Sequence, residues 1–217
     1  MSHARLSIRM ILAYAIDAQD DDSYMLGEDT YRPLDPGDFH DWRFGVNGLP
    51  HPATCATCGR KTDLNFVNGE FRVHQRRRDL TSTYDGYLLA SKIFREHCVA
   101  RRYPGVEFVP LPADEDFFWL RSHRTVRFDA ARRGTRREKL CKGCGSYFDV
   151  VGANPIFLAD VSTPLTDGFY RTDIEFGSGH TQNPIVLAGV HTAAELQALN
   201  LRGLEFEAVE DEYPAIR

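Results

Sequence analysis

Two short cysteine pairs carry the clearest chemistry in this chain of 217 residues. Cys55 and Cys58 form the first CxxC pair, Cys141 and Cys144 form the second, and a glycine follows each pair. Two intervening residues let both sulfurs of a turn face one point, and glycine suits the positive φ angle of such a knuckle turn. We therefore expect the four cysteines to bind one structural zinc ion, which joins distant segments of chain and leaves no open coordination position for water.

The spacing of the two pairs leaves other interpretations open. Between Cys58 and Cys141 lie 82 residues, far more than the roughly 15 to 20 of a compact zinc ribbon. Either one zinc ion joins two lobes, or each pair recruits other ligands, for which His51 is the nearest candidate. A redox dithiol would place one pair at a helix N-terminus, and two disulfides would need an oxidising compartment. Structural zinc fits better than a redox dithiol, because neither pair opens a predicted helix. It fits better than two disulfides, because two-residue loops cross-link little of the chain.

The remaining nucleophilic side chains form no catalytic group in the sequence. His97 and Cys98 are adjacent, so in a helix their side chains point about 100° apart, and Cys98 is predicted to be a buried helix residue. Ser178 and His180 lie in a glycine-containing segment that lacks the strand-to-helix elbow of a serine hydrolase. We therefore predict no catalytic residue and no enzymatic activity.

The composition describes a folded chain with unevenly distributed charge. It is 42% hydrophobic and 12% aromatic, and the net charge of −5 argues against a dedicated nucleic-acid coat protein. Residues 17–41 contain nine acidic residues and one arginine, whereas the basic strip, residues 124–142, contains eight Lys or Arg and two acidic residues. This strip either faces the acidic segments within the molecule or forms a solvated loop.

The sequence predicts a cytoplasmic protein that spans no membrane. It contains no run of 18 apolar residues. The apolar stretch between Arg9 and Asp17 has only seven residues, which is too short for a secretory signal that must include its own cleavage site. Cysteine pairs kept for a metal also suit a reducing compartment.

The hydrophobic pattern predicts a mixture of strands and helices. Alternating apolar residues over 6–16 predict a half-buried first strand, and Asn68-Gly69 predicts a hairpin over 63–73. Helices are predicted over 91–100 and over 193–200, the second with Thr192 as its N-cap.

Two further segments suggest surfaces for packing or binding. Phe117, Phe118 and Trp119 are consecutive, so in a strand they cannot all face one core, and we expect packing between lobes or an exposed partner anchor. Arg171 and Glu175 belong to an alternating charged segment, which predicts a solvated strand face or, if that face is functional, a binding surface.

The strand and helix pattern recurs at an offset of 98 residues. The segment Gly86-Tyr87-Leu88-Leu89-Ala90-Ser91 leads through a helix to residues 105–109, and residues 184–189 lead in the same way to 203–207. This recurrence predicts two similar sheet-plus-helix lobes. The alternative is chance similarity between two ordinary strand-helix-strand units.

These features resemble the bacterial double-CxxCG motif family. The similarity covers residues 55–210 and rests on the two knuckles, on Asp79 and Asp85-Gly86-Tyr87, and on a C-terminal pattern: Tyr170-Arg171-Thr172-Asp173, Phe176-Gly177-Ser178-Gly179, Pro184-Ile185-Val186 and Leu201-Arg202-Gly203-Leu204-Glu205-Phe206. Named members are immunity proteins, which neutralise a toxin delivered between neighbouring cells by binding it. The resemblance implies this function here, and only the four cysteines carry over from it, as zinc ligands.

Together these observations predict an α+β fold with two similar sheet-plus-helix lobes joined through a zinc-ribbon-like site of four cysteines. We expect an acidic, loop-rich region over 1–54, a first lobe over 55–112 and a second over 113–217, or one compact domain overall. The expected partner is a cognate protein toxin, and the acidic N-terminal region is the first surface that would suit a basic toxin. The alternative is a zinc-ribbon nucleic-acid-binding or regulatory module that uses basic side chains on phosphates: Arg132, Arg133, Arg136, Arg137 and Lys142.

Overall fold

The structure is a computed structural model that describes residues 9–27, 29–31, 42–44 and 51–213, with the backbone alone for 29–31 and 42–44. The start of the predicted first strand and nearly half of the predicted N-terminal region, residues 1–8, 28, 32–41 and 45–50, lie outside the described residues.

The described elements are strands with three helices among them, which confirms the α+β class. In chain order they are β1 (Ile11–Ala18), β2 (Asp29–Tyr31), β3 (Trp42–Phe44), β4 (Leu80–Ser82), β5 (Leu88–Ser91), α1 (Lys92–Arg101), β6 (Val106–Leu111), β7 (Asp114–Ser122), β8 (Thr125–Val126), α2 (Ala130–Arg133), β9 (Arg136–Leu140), β10 (Tyr147–Val151), β11 (Phe169–Ser178), β12 (Asn183–Ala188), α3 (Val190–Gln197) and β13 (Leu204–Glu210). A 3₁₀ turn, Gly179–Thr181, joins β11 to β12. Among the described residues, no helix is long and apolar enough to cross a membrane.

Two sheets organise these strands. The large sheet has the order β13-β1-β12-β11-β10-β9, with β8 added in parallel beside β11. The small sheet has the order β4-β5-β7-β6, and β2 and β3 form a separate pair. The expected boundary between residues 112 and 113 falls between β6 and β7, which pair with each other in the small sheet.

The small sheet and part of the large sheet share one strand order. The order β4-β5-β7-β6 corresponds to β11-β12-β1-β13, and every neighbouring pair in both sets is antiparallel. The cross-strand partners also correspond. In the small sheet Trp119 pairs with Leu89 and Val109. In the large sheet Ala15 pairs with Leu187 and Glu207. Leu89 and Leu187, like Val109 and Glu207, are 98 residues apart, so the recurrence seen in the sequence extends to the register of the sheets.

Each set contains a split β-α-β unit, in which an antiparallel strand lies between two parallel strands that a helix connects. In the small sheet, α1 connects β5 to β6, and β7 lies between them. In the large sheet, α3 connects β12 to β13, and β1 lies between them. In the chain, the middle strand β7 therefore follows β5, α1 and β6, whereas the middle strand β1 precedes β12, α3 and β13.

The two sheets and two helices meet in one main core. Corresponding elements of the two units supply its buried residues: Leu80, Ala90, Phe94, Cys98 and Leu120 from one, and Phe169, Ala188, Ala193, Leu196 and Ile16 from the other. A glycine of each unit also lies close to the backbone of the first strand of the other unit's set, β11 or β4. A Cβ added at Gly105 would lie 2.3 Å from the Phe169 carbonyl oxygen, and one added at Gly203 would lie 2.3 Å from the Leu80 carbonyl oxygen. Packing thus joins the sheets independently of the cysteine site.

The first strand is buried on both faces, so the prediction of a half-buried strand is wrong for residues 11–18. Tyr14 and Ile16 contact the main core, whereas Leu12, Ala13 and Ala15 belong to a second core on the opposite face. The second core also contains Phe128, Ile156 and Leu158, from segments that no local pattern connects with β1. A register shift between Ile11 and Ala13 places two successive residues, Leu12 and Ala13, in this second core.

The two main helices begin in different ways. The Ser91 side chain accepts a hydrogen bond from the Phe94 amide at 3.2 Å, as an N-cap of α1 should. The predicted start of α3 is wrong, because this helix begins at Val190 and Thr192 lies within it. The amides of Val190 and His191 donate to the carbonyl oxygens of Leu165 and Thr166, in the loop before β11, so this end needs no side-chain cap.

The predicted hairpin over 63–73 is also wrong, because this segment contains no strand. Asn68-Gly69 does form a turn, in which the Phe71 amide donates to the Asn68 carbonyl at 3.2 Å. The Val73 amide donates instead to the Asp114 carboxylate at 3.0 Å. Side chains and turns therefore satisfy backbone groups that a strand partner would otherwise take.

Candidate metal centre

Each CxxC pair lies at the tip of a short antiparallel hairpin. In the first, Thr54 pairs with Lys61, and the Gly59 amide donates to the Cys55 carbonyl at 2.8 Å. In the second, 86 residues later, Leu140 pairs with Tyr147, and the Gly145 amide donates to the Cys141 carbonyl at 2.8 Å. The two turns thus have the same hydrogen bonds at matched positions.

The glycine after each pair has the backbone conformation expected from the sequence. The φ angle is +73° at Gly59 and +71° at Gly145. A residue with a Cβ would be strained in this left-handed region, at a cost of about 1–2 kcal/mol. The glycines therefore let each turn close so that both sulfurs lie on the same side.

The four cysteine sulfurs converge on one point. All four ligand atoms lie within 4.8 Å of one another, with Cys55 Sγ 3.9 Å from Cys141 Sγ and Cys58 Sγ 3.8 Å from Cys144 Sγ. A zinc–sulfur distance of about 2.3 Å implies an S···S separation of about 3.8 Å in a regular tetrahedron. The residues present therefore fit a tetrahedral metal ion, and both of these sulfur pairs connect one knuckle to the other.

The site is packed on one side and open on the other. Cys58 and Cys141 are buried against Phe148, while Cys55 and Cys144 are half-buried. The knuckles also touch through Gly143, where an added Cβ would lie 2.4 Å from the Thr57 hydroxyl oxygen. This close approach places the second turn directly against the first.

The protonation of the thiols depends on burial and on the turn amides. Burial acts to raise the pKa of Cys55, but hydrogen bonds from the backbone of Cys58 and Thr57 outweigh it and lower that pKa to about 7. Burial raises the pKa of Cys58. A metal ion binds thiolates and not thiols, so binding would release protons, and affinity would rise with pH until the thiols are ionised.

Polar contacts fasten the first knuckle to the large sheet. Arg60 donates to the Glu175 carboxylate at 2.6 Å and to the Gln182 side-chain oxygen at 2.7 Å. The Gln182 amide nitrogen in turn donates to the backbone carbonyls of Tyr147 and Phe148, beside the second knuckle. The two knuckles are therefore connected through Arg60 and Gln182 as well as through the sulfurs.

Lys61 extends this attachment to the junction of the two units. Its ammonium donates to the Asp85 carbonyl at 2.6 Å and to the Asn183 side-chain oxygen at 2.8 Å. Lys61 is 3% exposed, and burial lowers its pKa to about 8, while the charge of Asp85 acts in the opposite direction. No sequence pattern indicated roles for Arg60, Lys61 or Gln182, because charged and polar residues beside a turn usually face solvent.

The other candidate site residues lie apart from the four sulfurs. The His51 ring nitrogen Nδ1 accepts from the Ala53 amide at 3.1 Å, and the ring packs on Phe66, so His51 is not in the cysteine cluster. Cys98 is buried in the main core, as predicted, and burial raises its pKa to about 12. His97 lies near the Tyr103 hydroxyl, outside that core.

The segment containing Ser178 and His180 forms the 3₁₀ turn between β11 and β12. Ser178 is exposed and His180 is buried. Burial, followed by the nearby Lys61 charge, lowers the pKa of His180 to about 4, so this imidazole is neutral at physiological pH. The segment connects two strands and therefore contains no strand-to-helix elbow.

The basic strip is partly engaged within the molecule. The Arg132 guanidinium lies 4.1 Å from the centre of the Phe157 ring and donates to the Asp211 carbonyl. Arg136 pairs with Glu138 and Lys139 with Asp149. All five residues of β9 are nevertheless exposed, and this strand forms one edge of the large sheet.

The three consecutive aromatic residues all pack within the protein. Phe117 and Trp119 contact a third core that includes Tyr87, while Phe118 lies on the other face, under the Arg95 guanidinium at 4.7 Å. Alternating faces of β7 therefore account for all three, and none is fully exposed.

The described residues thus contain a four-cysteine group able to hold a metal ion. Comparisons of the chain with protein-family models, with curated proteins and with solved structures find no match.

Proposed function

We propose that this chain is a non-catalytic immunity protein, stabilised by zinc, that neutralises a cognate bacterial toxin by forming a complex with it. The observation that carries this proposal is the convergence of two distant CxxCG knuckles on one site, since this pair is the most specific part of the resemblance to the double-CxxCG family. Neutralisation by occlusion needs a preformed surface, which a fold with a common core can supply.

Zinc is the metal that best fits the donor set. Four thiolates in a tetrahedral arrangement select zinc or iron, and a closed set of four cysteines is typical of structural zinc sites. Such an ion would stabilise the protein by holding residues 54–61 against the hairpin of β9 and β10. The two sheet-and-helix units would then be connected by the ion in addition to the main core.

An acidic edge is the described surface that best suits a basic toxin. Asp17 of β1 lies opposite Glu205 of β13, Glu207 follows on the same face, and all three are exposed. Like charges placed opposite one another destabilise a sheet, and a cationic partner would relieve this repulsion. By contrast, the buried carboxylate of Asp21, in the acidic N-terminal region, accepts from the amides of His74 and Gln75 and has a structural role.

Co-expression with the toxin encoded by an adjacent reading frame tests this function. We expect cell survival, a co-purifying complex, and protection that scales with the ratio of this protein to toxin. Glu205→Lys with Glu207→Lys should weaken binding by about 2 kcal/mol or more, whereas Glu96→Lys, on the exposed face of α1, should not. Protection at strongly substoichiometric levels, or without a complex, would show that the occlusion mechanism is wrong.

Nucleic-acid binding is the second candidate, favoured by the full exposure of β9. Arg136, Arg137 and Lys139 lie on this edge strand, with Lys142 just beyond it. Phosphate contacts would make the affinity fall steeply with salt, with a logarithmic slope of about −0.9 per contact on duplex DNA. We expect weak or no binding at physiological salt. A sub-micromolar, salt-sensitive affinity that disappears in Arg137→Ala with Lys142→Ala would favour this candidate over immunity.

A further inference from the structure

A cavity of about 400 Å³ lies between the two sheets. The small sheet contributes Tyr87 and Trp119 to its wall, the large sheet contributes Arg171 and Val186, and Lys61 reaches it from the segment after the first knuckle. Its volume is within the range of about 300–1,000 Å³ that is typical of small-molecule sites. The cavity is separate from the cysteine sulfurs, none of which lines it.

Arg171 brings an uncompensated positive charge to this cavity. Its Nε is buried and has no hydrogen-bond partner, and its guanidinium forms no ion pair with any residue that the structure describes. Two neighbouring arginines differ, because Arg121 pairs with Glu107 at 3.0 Å and Arg60 pairs with Glu175 at 2.6 Å. Arg171 is half-buried, and a buried donor without a partner is unfavourable, so its guanidinium is suited to an anion that binds in the cavity.

Further hydrogen-bond donors are available in the wall. The Lys61 ammonium has three N–H donors, and its bonds to Asp85 and Asn183 use two of them. The Tyr87 hydroxyl is buried and has no partner among the described residues. Donors without acceptors favour a ligand that carries acceptor oxygens.

One part of the wall is apolar, while the carboxylates that also line the cavity, Glu107 and Glu175, are each paired with an arginine. Trp119 is half-buried and packs on Tyr87 with their ring centres 4.7 Å apart, and Leu88, Pro184 and Val186 complete this side. An inorganic anion would leave these surfaces without a partner. A ligand with an apolar body would bury them, which is the main source of affinity in pockets of this kind.

We propose that the cavity between the sheets binds a small organic carboxylate, with the carboxylate on Arg171 and an apolar body against Trp119 and Val186. Arginine can hold a carboxylate through two parallel N–H bonds, which provides both affinity and orientation. The site goes beyond the proposed toxin complex and does not depend on it.

Two matched compounds test the site by isothermal titration calorimetry on the zinc-loaded full chain. Phenylacetate should bind one per chain, and its neutral isostere phenylacetamide should bind at least about tenfold more weakly, because it lacks the charge. Equal affinity of the two, or no binding of phenylacetate, would refute the proposal. Tighter binding of phenyl phosphate than of phenylacetate would assign the site to phosphate esters and overturn the carboxylate.

Two variants connect the binding to the cavity. Arg171→Met should reduce phenylacetate affinity at least about tenfold, whereas Arg137→Met, on the exposed strand β9, should leave it unchanged. The ligand-free Tm of Arg171→Met should be equal or higher, because no ion pair among the described residues is lost. Val186→Phe fills the cavity but keeps Arg171, so it should also weaken binding. Unchanged affinity in either cavity variant would contradict the proposed site.

Discussion

Single residues in the metal centre depend on very local backbone geometry. Each turn is closed by a bond from its glycine amide to the carbonyl of its first cysteine. Two other amides of the first turn, those of Cys58 and Thr57, lower the pKa of the Cys55 thiol. Local sequence therefore prepares both the position of the sulfur and its readiness to bind a cation.

Comparing a cysteine variant in the metal site with one in the main core should distinguish loss of metal from ordinary destabilisation. Purified wild-type protein should contain about one zinc per chain, and Cys55→Ser should lose the metal and have a lower Tm, since zinc binding is linked to folding. Cys98→Ala is the control, because it removes a buried sulfur from the main core and not from the metal site. Elemental analysis and thermal denaturation provide the two measurements.

Cys98→Ala should therefore keep its zinc while losing some stability. If carefully reduced wild-type protein contains no zinc, or if Cys55→Ser retains it, the four-sulfur assignment fails.

The sequence predicted the residues whose partners are close in the chain and missed those whose partners are distant. The four cysteines and the two glycines were predictable because a CxxCG turn is a local unit, repeated once. Lys61 was not, because it binds Asn183, and for Arg171 the sequence left open whether its strand face is solvated or is a binding surface. An alternating charged strand gives the same pattern whether its charges face water or a crevice.

Among the elements, α1 and α3 show how a helix end can be set locally or by the tertiary structure. Ser91 caps α1 with its own side chain, which sequence rules detect. At α3 the loop before β11 supplies carbonyl acceptors, and Thr192 instead accepts from the Gly168 amide at 2.7 Å. The residue that resembled a cap therefore holds the loop against the helix.

Substitutions at these two positions should have different consequences. Thr192→Val would leave the buried Gly168 amide without a partner and should destabilise the protein by about 1–3 kcal/mol. Ser91→Ala should lose a cap worth about 1 kcal/mol. Urea denaturation of both variants measures the two effects.

Thr192→Ser keeps the hydroxyl and is the matched control, with most of the stability retained. A Thr192→Val protein as stable as Thr192→Ser would contradict the bond to Gly168.

Strand predictions failed where the required partner was not local. The turn at Asn68-Gly69 forms, but the residues around it bond to side chains, among them the Asp114 carboxylate. In β1, the alternating pattern predicted one buried face, but residues 128 and 156–158 cover the other. Period-2 alternation identifies a strand but does not show how many layers pack on it.

At the scale of the whole molecule, the two units are interlocked as well as similar. Gly105 of one unit and Gly203 of the other each contact a backbone carbonyl of the first strand of the opposite set. The main core receives residues from corresponding elements of both units. Packing therefore joins the two units without any contribution from the cysteine sulfurs.

Removing the metal should loosen the knuckles but leave the main core folded. After chelation we expect a lower Tm, with loss of hydrogen-exchange protection in residues 54–61 and 140–147. Protection in β5, β12 and the helices should persist, because their packing does not involve the cysteine sulfurs. Hydrogen-exchange mass spectrometry of the chelated protein, with Cys55→Ser as a second metal-free sample, measures this. Loss of protection throughout both sheets would show that the metal supports the entire fold.

The positions of the middle strands β7 and β1 in the chain have a consequence for biosynthesis. Residues 80–122 contain every strand of the small sheet in one contiguous stretch, so this sheet can assemble while translation continues. The large sheet needs β1 from before this stretch and β12 and β13 from after it, and closing such a long loop is slow. Until β11, β12 and α3 leave the ribosome, the apolar faces of Leu80, Ala90 and Leu120 lack most of their core partners, and the nascent chain is then most exposed to aggregation.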